Sequence, residues 1–218
     1  MIVDERIAAY IYSLEKEPKE LLKQLEKQAL EDDVPIIRKE TQSLLRFLLA
    51  TKKPTNILEV GAAVGFSSIL MSEYMPEECH ITTIEKMTER IKIAKNNISL
   101  ANKEDKITLL EGDALEILKE LASQDNMNFD FIFMDAAKGQ YINFLPEIMK
   151  ILPVGGMLIS DNVLQDGDVV MSRYAVTRRN RTIHSRMREY LYTLTHMEEF
   201  DTVILPIGDG VTLSTRVK

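Results

Sequence analysis

The chain has 218 residues, with 27 Lys and Arg against 34 Asp and Glu, a formal net charge of −7. That length suits one mid-sized domain better than two, and the single cysteine, Cys79, excludes an internal disulfide and argues against a thiolate zinc site. No apolar run approaches the ~20 residues that span a bilayer, and the acidic start lacks a basic leader region, so a cytoplasmic protein without a membrane partner is expected.

The first segment, residues 1–53, reads as helical. Ile7, Tyr10, Ile11 and Leu14 keep helical spacing, as do Leu21 and Leu25, with Glu and Lys on the other faces. Val34-Pro35-Ile36-Ile37 interrupts the pattern, because proline pushes its predecessor into an extended conformation. A third helix carries Leu44, Leu45, Phe47, Leu48 and Leu49 and stops near Lys52-Lys53-Pro54.

In residues 54–218 short apolar runs alternate with amphipathic stretches. Strands are predicted at Ile57–Val60, Ile81–Ile84, Ile107–Leu110, Phe131–Met134 and Met157–Ile159, with helices such as Glu89–Leu100 and Ala114–Leu121 between them. Strand–helix alternation with nearly continuous apolar strands predicts a parallel α/β sheet covered on both faces. Thr202–Pro206 and Val211–Ser214 flank Gly208-Asp209-Gly210, which reads as an antiparallel hairpin at the sheet edge.

Ligands of open α/β sheets bind beyond the carboxyl ends of the strands. Five strands in succession bring a carboxylate to that rim: Glu59, Glu85, Asp113, Asp135 and Asp161. Any one of them alone is readily a helix N-cap; five in register ask for more. Gly61 and Gly65 let the first loop turn tightly, but Phe66 stands where a dinucleotide fingerprint needs a small residue. Pyrophosphate is therefore disfavoured, while Glu85 suits the two hydroxyls of a ribose. A nucleoside without pyrophosphate, S-adenosylmethionine, satisfies both facts.

Asp135, Asp161 and Asn162 form a partial shell of hard oxygens that suits Mg²⁺, or Mn²⁺ or Ca²⁺, better than zinc. Against this stands the reading of Asp161-Asn162 as a simple turn. Lys138, three residues past Asp135, is either a solvated lysine at a helix start or a base beside the cation.

These residues resemble a known family. Glu59-Val60-Gly61-Ala62-Ala63-Val64-Gly65-Phe66-Ser67, Gly112-Asp113-Ala114, Asp135-Ala136-Ala137-Lys138-Gly139-Gln140-Tyr141 and Ser160-Asp161-Asn162 are similar to the motifs of the cation-dependent, catechol and caffeoyl-CoA-type O-methyltransferases. The resemblance implies a class I, Rossmann-like fold with a mostly parallel seven-stranded sheet. It implies cofactor contacts from Ile37, Glu59, Gly61, Ser67, Glu85, Asp113, Ala114 and Asp135, metal ligation by Asp135, Asp161 and Asn162, and Lys138 as general base beside Asp135. A homodimer is also expected. Members acting on small molecules often wall a flat aromatic substrate with tryptophan, which this chain lacks; Phe66, Tyr141 or Tyr174 would take that place.

Charge is distributed unevenly. Val169 to Arg188 holds no acidic residue but contains Arg173, Arg178, Arg179, Arg181, Arg186 and Arg188, leaving 21 − 34 = −13 elsewhere. Arginine suits phosphate and stacks on bases. With the Asp-Ala-Ala-Lys-Gly-Gln-Tyr run, this segment resembles the tRNA 5-hydroxyuridine methyltransferases of bacteria. That implies an anticodon stem-loop partner, met by Arg178, Arg179, Arg181 and Arg186, and 5-methoxyuridine at the wobble position as product. A solvated basic face or a dimer salt-bridge surface is the plainer reading of the arginines. A small catechol or caffeoyl-CoA-type substrate, and a non-catalytic tRNA- or cofactor-binding module, remain as alternatives.

Overall fold

The computed structural model describes residues 4–218. Three helices come first: α1 (Glu5–Ser13), α2 (Glu20–Glu31) and α3 (Lys39–Lys52). There follow β1 (Asn56–Val60), α4 (Phe66–Ser72), β2 (His80–Glu85), α5 (Thr88–Leu100), β3 (Ile107–Glu111), α6 (Ala114–Ala122) and β4 (Phe131–Met134). The chain ends with α7 (Tyr141–Ile151), β5 (Met157–Ser160), α8 (Arg181–His196), β6 (Phe200–Leu205) and β7 (Val211–Arg216). The predicted strands and helices all occur, shifted by a residue or two at their ends. Among the described residues no helix is long and apolar enough to cross a membrane.

The sheet order is β3-β2-β1-β4-β5-β7-β6. Five strands run parallel, and β7 pairs antiparallel with both β5 and β6. The chain winds outward from β1 through β2 to β3, then restarts at β4 on the other side of β1. At that reversal the loops after β1 and β4 diverge and open a crevice.

Alternation along the strands divides the core. Leu58, Val60, Ile132 and Met134 pack with Leu118, Leu145, Ile148, Met187 and Tyr190 from α6, α7 and α8. Ile57, Phe131 and Phe133 face the opposite side, with Leu22, Leu45, Leu49, Ile69 and Leu70 from α2, α3 and α4. Phe131–Met134 is buried throughout, as a central strand covered on both faces must be.

The apolar stripe of α1 differs from the expectation of a core-facing helix. Ile7, Tyr10, Ile11 and Leu14 are all exposed, and among the described residues of α1 Ala8 is buried. The spacing suffices for a helix, but it does not by itself bring that stripe into the core.

Candidate active site

At the crevice lies a cavity of about 810 Å³, within the range that encloses a cofactor and a small substrate. Its walls bring together Ile37, Gly61, Glu85, Asp113, Ala114, Asp135, Lys138, Asp161 and Asn162, all of them expected from sequence. Gly61 shows why the first loop requires glycine. It has φ +109°, and a Cβ there would lie 2.1 Å from the Asp135 carbonyl oxygen. The close neighbour is thus the end of β4, so the cofactor loop and the acidic strand end are locked together.

Glu85 is pinned in place. Its carboxylate accepts the backbone N–H groups of Ala63, Lys86 and Met87, each at 2.8 Å. This fixes two acceptor oxygens at the end of β2. Asp113 serves the helix-capping role as well as lining the cavity: it accepts the Leu115 N–H at 3.0 Å and pairs with Lys86 at 3.0 Å. The Lys86 ammonium holds its carboxyl below the usual range.

Glu59 and Ser67 stand elsewhere. Neither lines the cavity. Glu59 is fully buried, pointing with Ile57 toward α4, where it accepts the hydroxyls of Ser68 and Thr83. Burial raises its pKa, opposed by these hydroxyl groups. The sequence reading expects a cofactor contact from Glu59; in the fold, strand alternation turns it behind the glycine loop, where it ties β1 to α4 and β2.

At the far side, Asn162 donates through Nδ2 to Asp135 Oδ1 at 2.9 Å, and its backbone N–H reaches Asp161 Oδ1 at 2.8 Å. Burial raises the pKa of both Asp135 and Asp161, the latter to about 7 with the Asp135 carboxylate adding to the effect. The two buried carboxylates are only partly compensated: the Lys138 charge, in the same cavity, opposes the effect of burial on both, but Lys138 makes no ion pair within 4 Å among the described residues. Such a deficit, with an amide beside it, fits a hard divalent cation. Among the described residues no three His, Cys, Asp or Glu cluster in this way, since the third donor here is an amide.

The expectation that Tyr141 walls an aromatic substrate is corrected. Tyr141 is fully buried, and Phe66 nearly so. The Tyr141 hydroxyl lies 3.2 Å from the Met134 carbonyl and 3.1 Å from that of Asp161, and accepts the Ala136 N–H at 3.3 Å. It braces the two strand ends from which Asp135 and Asp161 emerge. The hairpin turn supports the same region: Val163 and Leu164 donate to the Gly210 and Asp209 carbonyls, each at 2.9 Å.

Several wall residues escape sequence reading, notably Arg38, Arg90, Gln140 and Asp209. Arg38 and Asp209 reach the wall from segments remote in sequence, while Arg90 and Gln140 follow strands β2 and β4 closely without any spacing that marks them as wall residues.

The arginine segment lies next to this site. Arg186 donates through Nη1 to the Gly139 carbonyl at 3.1 Å, so α8 docks on the turn that carries Lys138. That bond commits part of the Arg186 guanidinium to structure. Arg178 and Arg179 are exposed, Arg181 is half-buried, and none of the three forms an ion pair within 4 Å among the described residues. His184 is buried, with Nε2 3.1 Å from the Met171 carbonyl, a packing role rather than a phosphate contact.

The strand order, with its reversed β7 and crevice at the β1–β4 reversal, is that of a class I methyltransferase. Residues 12–217 match the model of the O-methyltransferase family, and the chain belongs to that family. A caffeoyl-CoA O-methyltransferase from Stellaria longipes is 30% identical over 179 residues, covering 80% of this chain and 73% of the relative. A Staphylococcus aureus structure assigned as a caffeoyl-CoA O-methyltransferase superimposes with a TM-score of 0.85 at 28% identity, covering 97% of this chain and 98% of the other. An O-methyltransferase from Bacillus cereus, solved with SAH, has a TM-score of 0.86 at 21% identity over 97% of each chain; at that identity the likeness concerns the fold.

Proposed function

We propose that the protein transfers a methyl group from S-adenosylmethionine to a hydroxyl that has a second oxygen beside it, with a divalent cation held by Asp135, Asp161 and Asn162. When bound, S-adenosylmethionine supplies an electrophilic methyl on a sulfonium, and the cation favours the oxyanion of the acceptor. Glu85, fixed by three backbone N–H groups, receives the ribose hydroxyls. Ile37, Asp113 and Ala114 enclose the nucleoside. Lys138 takes the proton of the acceptor hydroxyl at Nζ, and the rigid walls hold the acceptor oxygen in line with the methyl.

For the acceptor we favour 5-hydroxyuridine at the tRNA wobble position, whose 5-hydroxyl and O4 are neighbours. The observation that carries this reading is the unpaired Arg178 and Arg179 on the segment docked against Gly139 through Arg186. The second reading is a small catechol or caffeoyl-CoA-type substrate. The curated relatives favour it, and the arginines would then meet the phosphates of coenzyme A.

The deciding experiment supplies labelled cofactor with an anticodon stem-loop containing 5-hydroxyuridine, with caffeoyl-CoA, or with a catechol. Transfer to the stem-loop at a kcat/KM well above that for the small acceptors is expected. Efficient transfer to the small acceptors with none to RNA would establish the second reading instead. For a purely binding module, Lys138→Ala would change nothing measurable. For the enzyme, turnover falls by about 10²–10⁴ while cofactor affinity is retained.

A further inference from the structure

The segment between β5 and α8 is anchored at both ends and outward-facing between. Val169 and Val176 are buried, whereas Val170, Met171 and Tyr174 are exposed, Tyr174 to 84%. An aromatic ring turned so far into water forgoes the burial that normally stabilises it. Its backbone is nevertheless well held. The Tyr174 N–H donates to Ser172 Oγ at 3.3 Å, the Ala175 N–H to the Ser172 carbonyl at 2.9 Å, and His184 secures the Met171 carbonyl.

One side of the ring has a cation. The Arg181 guanidinium carbon lies 5.9 Å from the Tyr174 ring centroid, and Arg181 Nε donates to the Val176 carbonyl at 3.4 Å. Exposed Arg178 and Arg179 come between them in sequence. A presented aromatic face beside unpaired arginines matches what single-stranded RNA requires: stacking for a base and positive charge for its phosphates.

Tyr174 does not line the cavity that holds Lys138, Asp135 and Asp161, yet α8, whose first turn carries Arg181, docks on the turn bearing Lys138 through the Arg186–Gly139 bond. The ring thus stands outside the candidate catalytic crevice, on the segment that leads into a helix contacting its rim.

We propose that Tyr174 is a stacking platform for a base flanking the methylated nucleotide, with Arg181 backing the ring. This rests on the tRNA reading above. The platform takes any base, because every base has a π-face, and so contributes affinity and register more than sequence choice.

The test uses full-length protein, wild type, Tyr174→Ala and Tyr174→Phe, and anticodon stem-loops carrying 2-aminopurine at each position flanking the target. Affinity is read by anisotropy and stacking by quenching of the probe; cofactor affinity reports correct folding. Tyr174→Ala is expected to weaken stem-loop binding about 5- to 150-fold and to relieve quenching at one flanking position. Tyr174→Phe, which keeps the ring, retains both. If the wild type binds the stem-loop and Tyr174→Ala binds and quenches equally well, the stacking role is overturned and the tRNA reading stands. If the wild type does not bind the stem-loop yet methylates catechols, both fall together.

Discussion

The guanidinium of Arg38 lies 2.6 Å from an Asp209 carboxylate oxygen and 3.2 Å from one of Asp166. It thereby joins the segment before α3, the β6–β7 turn and the stretch after β5. Both Arg38 and Asp209 line the cavity, so this pairing sets how the wall formed by residues 35–38 closes on its contents. Arg38→Ala is expected to raise the cofactor KM about five- to tenfold, some 1–1.4 kcal/mol, with Arg38→Lys intermediate because one ammonium replaces a planar fork poorly. Steady-state kinetics and cofactor titration check this.

The paired carboxylates imply a linked prediction about the cation. Mg²⁺ is expected to raise Tm in a concentration-dependent way, since it binds the folded arrangement and relieves Asp135–Asp161 repulsion. Asp161→Asn is expected to make the metal-free protein at least as stable as the wild type, while abolishing the Mg²⁺-induced shift and methyl transfer. Thermal denaturation with and without the ion tests both halves; an unchanged shift in Asp161→Asn would remove that residue from the ligand set.

Glu59 predicts a pH dependence of stability. Burial raises its pKa in the folded protein above the ordinary glutamate value, so the folded state holds the proton more tightly than the unfolded one. Its contribution is present in full below about pH 4.3, the unfolded value, and is lost as pH rises through the folded value. Relative to wild type, Glu59→Gln should gain stability as pH rises from 4 to 8. Urea denaturation across that range measures the difference; a constant offset would contradict it.

For the arginines, Arg178→Ala with Arg179→Ala should weaken stem-loop binding and reduce its salt dependence. Removing one phosphate-binding cation lowers the slope of log K against log salt by ~0.7 on a single strand, so the pair should lower it by roughly 1.4. Cofactor affinity should not change. Binding measured from 50 to 200 mM salt provides the check, and an unaltered slope would show that neither residue meets a phosphate.

The alternation of apolar strands with amphipathic helices is legible from local sequence alone, because strand burial and helix periodicity are written residue by residue. So are the cavity's strand-end carboxylates, since a parallel sheet delivers each strand's C-terminal side chain to one rim, and Glu85, Asp113, Asp135 and Asp161 sit at those ends. The candidate metal-ligating chemistry is legible for the same reason: Asp135 and Asp161-Asn162 terminate strands that pair directly.

Direction and convergence require the folded chain. Glu59 is one residue from the rim, and strand alternation turns it onto α4 instead of into the cavity. Tyr141 has the chemistry of a substrate wall but is a buried strut, because the short turn after Asp135 folds its hydroxyl back onto two strand ends. Arg38 meets Asp166 and Asp209 across 128 residues or more, a distance over which no spacing rule operates. Residue type and local period determined the elements and the donors at their ends; only packing decided which side chains face inward and which distant segments close the site.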